Sequence, residues 1–296
     1  MNLIEILWEP LSYGFLQRGF AVTLVAALVC ALLSCWLILI GWSLMGDAIS
    51  HAVLPGVVLS YILGLPFTVG ALAAGLLAVA LIGWVRNSGR LREDSAIGIV
   101  FTTLFAVGLI LVSVTPSQTD LHSVLFGNVL GVSGSDLLQV LLLSALVIAV
   151  LLLKRKDLTL FAFDPDFAQA AGLRPKLMGG LLLVLLAATS VVALQVVGVV
   201  LVVAMLVIPG STARLLTHRF NRMLLIASAV SLLGSLTGLY ASYYLDISAG
   251  GAVVVAQGSI FFAVYLFAQW QAATVRAQTP RRRPRLKASD SARRAG

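Results

Sequence analysis

Apolar stretches of about 20 residues recur along most of this 296-residue chain, and no other feature constrains its fold as strongly. A helix of that length crosses the hydrocarbon core of a bilayer, whereas a soluble domain has no interior large enough to hide so many. Composition agrees: 60% of the residues are hydrophobic, 11% are charged, and the mean hydropathy is +1.03. The short alternating segments of a transmembrane barrel are absent. The expected fold is all-α, a polytopic helical membrane protein with about eight to nine transmembrane helices.

Read in order, the spans fall at 20–42, 47–63, 68–85, 95–114, 136–153, 177–197, 199–216, 223–245 and 252–270. The net charge of +8 invites a nucleic-acid partner, but the distribution of basic residues argues against one. They collect in the loops 86–94, 154–176 and 214–222 and in the tail Arg281-Arg282-Arg283-Pro284-Arg285. That is the pattern of a cytoplasmic face, reinforced by attraction to anionic lipid. The segment 115–135 holds no Lys or Arg and is expected outside, with 121–131 a short surface helix. This count puts the N-terminus outside. Residues 1–19 read as an amphipathic lead-in without a cleavable signal peptide, so the first span serves for targeting. Residues 20–270 form the transmembrane domain, and 271–296 a basic tail expected to be disordered. Cys30 and Cys35, five positions apart, point to different helix faces and suit neither a disulfide nor a metal pair.

One polar stretch interrupts the apolar pattern: Gly46-Asp47-Ala48-Ile49-Ser50-His51-Ala52-Val53-Leu54-Pro55-Gly56. Asp47 and His51 are four residues apart, hence on one face of a helix. Oxygen and nitrogen donors together suit manganese, zinc or iron. Pro55-Gly56 is expected to break the helix and free backbone groups. An ionisable pair beside a helix break between spans marks a functional site, because such groups are expensive in lipid. The bland alternative is a helix cap and an interhelical hydrogen bond. The five Met residues are scattered, which weighs against copper.

A cation-binding membrane protein is most simply a transporter. The chain has no G-x-x-x-x-G-K-[ST] phosphate loop and no H-E-x-x-H, so ATP hydrolysis would need a separate subunit docked on the cytoplasmic face. The loop 154–176 offers a handle. Asp164 suits an N-cap, Pro165 the first helical position and Gly172 a stop, leaving a helix of about two turns. Phe161, Phe163 and Phe167 would then stand near the membrane surface, either filling a partner's pocket or lying among lipid headgroups.

Four stretches occur in order: 46–56 above, Leu125-Phe126-Gly127-Asn128-Val129-Leu130, Phe163-Asp164-Pro165-Asp166-Phe167-Ala168-Gln169-Ala170-Ala171-Gly172, and Gln195-Val196-Val197-Gly198-Val199-Val200-Leu201-Val202. Together they resemble the permease subunit of the manganese, zinc and iron family of bacterial ABC importers, over roughly residues 16–269. The resemblance implies the permease fold of vitamin B12 and siderophore importers, and a place in the bacterial inner membrane. It implies a homodimer or paired permeases, an extracytoplasmic metal-binding protein and two ATP-binding cassette subunits. No cofactor is held permanently, and the transported divalent metal is the cargo. It makes Asp47 and His51 the metal ligands, and Asp164, Phe167 and Gly172 parts of the ATPase-coupling element. Pro209-Gly210-Ser211 departs from the family's more common Pro-Ala-Ala.

One Asp and one His are half a coordination sphere, and a two-fold axis between two copies would supply four donors. Gln195 could line the pathway, although a lone intramembrane Gln more often joins helices. Asp120, His122 and Asp246 read as solvated outer-loop residues, and His218 as cytoplasmic surface. The same residues admit two rival readings. One is a secondary carrier exchanging metal for protons without an ATPase. The other is an ABC permease for an iron chelate, in which Asp47 and His51 would be structural.

Overall fold

The structure, a computed structural model, describes residues 8–87, 93–115 and 133–278. Every regular element among them is a helix. A short 3-10 turn at Pro10–Ser12 precedes α1 (Gly14–Ile40), α2 (Ser43–Ala52), α3 (Leu54–Leu63), α4 (Phe67–Asn87) and α5 (Glu93–Val114). Then come α6 (Gly134–Leu153), α7 (Arg155–Phe163), α8 (Pro165–Ala170), α9 (Pro175–Val197), α10 (Val199–Leu216), α11 (Phe220–Leu245) and α12 (Ala249–Gln278). Eight stretches are long and apolar enough to cross a membrane, with α2 and α3 together forming one of them, Met45–Leu63. A ninth apolar helix, Val202–Leu216, is shorter.

The hub is α1. Its 27 residues reach about 40 Å at 1.5 Å per residue. Between Ala26 and Leu37 the side chains are buried on all faces, including Cys30, Leu33, Ser34 and Trp36, as expected of a helix enclosed by others. Around it pack α6, α9, α10 and α11. It stops at Gly41, whose φ of +85° is open to glycine and whose N–H bonds back to the Leu37 carbonyl.

Lipid gives packed spans no hydrophobic advantage over separated ones, so close backbone approach and a few hydrogen bonds hold them together. A Cβ on Gly56 of α3 would lie 2.0 Å from the carbonyl oxygen of Gly70 in α4. Pro209 interrupts the α10 ladder, and the Gly210 N–H donates instead to Ser34 Oγ of α1 at 3.0 Å. Gln257 of α12 is buried, and its Nε2 donates to the Ser231 and Ser235 hydroxyls of α11 at 3.3 and 3.4 Å. Ser231 donates in turn to the Ala27 carbonyl of α1 at 2.9 Å.

Span positions agree with the sequence reading to within a few residues, except that α1 starts at Gly14 and takes in the end of the lead-in. Three expectations change. The segment 154–176 contains two helices, α7 and α8, where a loop with one short helix was expected. Phe161, expected at the surface, is buried in α7 over Gly179 of α9, because the apolar residues Leu158 and Phe161 form one inward face. The third concerns 46–56, which is helical and interrupted only at Val53. Val53 keeps helical dihedrals, and the Gly56 and Val57 N–H groups both bond to its carbonyl at 3.0 and 3.2 Å. Pro55 therefore sits in the first turn of α3, where its missing N–H is tolerated.

Candidate metal site and coupling element

Two polar side chains lie on α2, a ten-residue helix packed against α5, α9 and α10. Its buried face carries Met45, Ala48, Ile49 and Ala52, and Gly46 lets Leu206 of α10 come close. The opposite positions hold Asp47 and His51. Ser50 between them is buried and returns its hydroxyl to the Gly46 and Asp47 carbonyls, both at 2.9 Å. The ionisable side chains left open on this helix are thus the two residues the spacing singled out.

His51 Nε2 and Asp47 Oδ1 stand 3.1 Å apart. The imidazole is 23% exposed and the carboxylate 37%, so in a single copy the pair is open on one side. An ion held by one oxygen and one nitrogen at about 2.1 Å each separates those atoms by about 3.0–3.4 Å, for right-angle to tetrahedral arrangements. The pair could therefore chelate one ion in place of its mutual hydrogen bond with little movement. The ring of His51 lies against Phe105 and Phe101 of α5, with centroids 5.2 and 6.0 Å away. Its Nδ1 is buried without a hydrogen-bond partner among the described residues. Among those residues no group of three or more His, Cys, Asp or Glu side chains could hold a metal.

At the basic end of the bundle, Asp164 caps α8 by accepting the Phe167 N–H at 2.9 Å, and Pro165 opens the helix. Gly172 follows with a φ of +87°, and the Leu173 N–H closes onto the Ala168 carbonyl at 3.0 Å. Phe163 and Phe167 are more than half exposed, as expected. Trp42, at the start of α2, and Phe161 of α7 converge on Gly179: a Cβ there would be 3.6 Å from Trp42 and 3.4 Å from Phe161. The α7 helix and the start of the Asp47 helix therefore meet over one glycine of α9. Asp246 is an exposed left-handed cap, and His218 is exposed between α10 and α11. Asp120, His122 and Asn128, the side chain of Gln195 and the Arg-rich tail lie outside the described residues.

The aromatic wall of Phe101 and Phe105 went unnoticed in the sequence. Their spacing of one helical turn was its only signal, and on an apolar span such a pair looks like any other. The Trp42–Gly179–Phe161 junction joins three distant segments and left no sequence signal.

A family model for the ABC 3 transport family matches residues 12–268, nearly the whole described bundle. The chain belongs to the ABC 3 transport family. Manganese transport system membrane protein MntB of Synechocystis sp. is 52% identical over 253 residues, covering 86% of this chain and 83% of the relative. Chelated iron transport system membrane protein YfeC of Yersinia pestis is 44% identical over 266 residues, covering 90% of each. The solved structure of PsaBC from Streptococcus pneumoniae in complex with Fab superposes with a TM-score of 0.82 at 38% identity, covering 89% of this chain and 95% of that one. An inward-facing ABC transporter structure, with a TM-score of 0.69 at 17% identity, shares the fold. The ABC 3 member described here is a multi-pass membrane permease of the bacterial inner membrane. A carrier working without an ATPase does not fit that family.

Proposed function

We propose that this ABC 3 permease belongs to an ATP-driven importer and carries a bare divalent transition metal ion, manganese, zinc or ferrous iron, inward. The observation that carries the reading is the Asp47–His51 pair, 3.1 Å apart and half-open in one copy. Its donors suit these ions, and the names of relatives specify manganese, iron and, for YfeC, chelated iron. A second copy related by a two-fold axis completes the site with its own pair, giving four donors and two carboxylate charges for a divalent cation. The ion is cargo, and no resident cofactor is needed.

An extracytoplasmic metal-binding protein delivers the ion, and a separate ATP-binding cassette subunit docks on α8 through Phe167. Movement of α8 and α7 reaches the metal helix through Phe161, Gly179 and Trp42. A metal-binding stoichiometry tests the shared site. The permease–ATPase complex in nanodiscs, equilibrated with manganese and counted by elemental analysis, should hold one ion per two permease copies. Asp47→Asn and His51→Ala should each abolish that ion. One ion per copy would refute sharing, and unchanged binding in both variants would refute the site.

A further inference from the structure

The cytoplasmic end of α6, α7 and the start of α11 enclose an open groove of about 910 Å³. It lies where two spans end: Leu152 and Leu153 form the last turn of α6, while Phe220 and Asn221 open α11. Leu153, in the last turn of this membrane-spanning helix, is 84% exposed. Beside this apolar edge stand Arg155 and Lys156, and among the described residues no acidic side chain lines the groove. The nearby Asp157 is engaged by Lys154 at 3.4 Å. Arg155 is held in place by a hydrogen bond to Asn221, which leaves further guanidinium donors free. Thr159 in the same wall keeps a hydroxyl with no hydrogen-bond partner among the described residues.

An apolar slot continuous with the ends of two spans, topped by two cations at the membrane boundary, matches an acyl chain joined to an anionic phosphate. We propose that this groove binds an anionic phospholipid of the cytoplasmic leaflet. The phosphodiester pairs with Arg155 and Lys156, and an acyl chain runs along Leu153 and Phe220. A protein partner fits less well, because the α6 edge of the groove belongs to a membrane-spanning helix. The lipid braces α7, the helix that leads into the coupling element.

The test is native mass spectrometry of the purified full chain in detergent, offered equal amounts of phosphatidylglycerol and phosphatidylcholine with identical acyl chains. Wild type should retain phosphatidylglycerol with about a tenfold preference, and Arg155→Ala/Lys156→Ala should fall to near parity. If the double variant does not fold, Lys156→Gln alone, at an exposed position, should lower the preference about threefold. No preference in wild type would overturn the proposal, as would preference retained in whichever variant folds. So would displacement of the lipid by inorganic phosphate at equal concentration. Retained preference with loss of the ATPase subunit would assign the groove to protein docking and likewise overturn it.

Discussion

His51 gives one ring nitrogen to Asp47 and keeps the other buried against phenylalanines, so the pair is fixed in direction. The four-residue spacing made this pair legible in the sequence, because helix geometry alone puts both donors on one face. What surrounds them was not legible. Gly56 shows the same limit: it read as a helix breaker beside Pro55, yet its role is to let α3 touch α4. Gly56→Ala should therefore destabilise the fold by about 2 kcal/mol, since its Cβ meets the Gly70 carbonyl. Gly83→Ala, with open space at its Cβ, should instead be neutral or stabilising by about 0.5–1 kcal/mol. Thermal unfolding of the two variants in detergent checks both; equal melting temperatures would contradict the close contact.

Among the elements, the cap, the proline and the glycine of α8 were all legible, because each has a local conformational reason. The helix α7 before it was missed. Its charged start, Arg155-Lys156-Asp157, reads as loop, and its inward face is only Leu158 and Phe161. That face separates two phenylalanines that look equivalent in the sequence. Phe167→Ala should leave the melting temperature unchanged and sharply weaken co-purification of the ATPase subunit. Phe161→Ala removes a buried ring and should cost about 3 kcal/mol of stability. If Phe167→Ala co-purifies as wild type does, α8 is not the docking element. The break at Val53 teaches a similar lesson, since a proline in the first turn of a new helix bends the chain without unwinding it.

For the whole molecule, hydropathy and charge were enough to place the spans, because bilayer thickness sets helix length. They could not give the arrangement of helices about α1. That depends on glycine contacts between distant segments and on single hydrogen bonds, such as the Gly210 N–H to Ser34 Oγ. The bundle presents one Asp47–His51 pair per chain; in the proposed transport two copies, powered by an ATPase, move an ion through the joint site. The direct measurement is metal uptake into liposomes containing the permease with its ATPase subunit, with manganese, zinc and ferrous iron each supplied to wild type, Asp47→Asn and His51→Ala. ATP-dependent uptake by wild type, lost in both assembled variants, is the expected result. Normal uptake by either variant, or wild-type uptake without ATP, would contradict it.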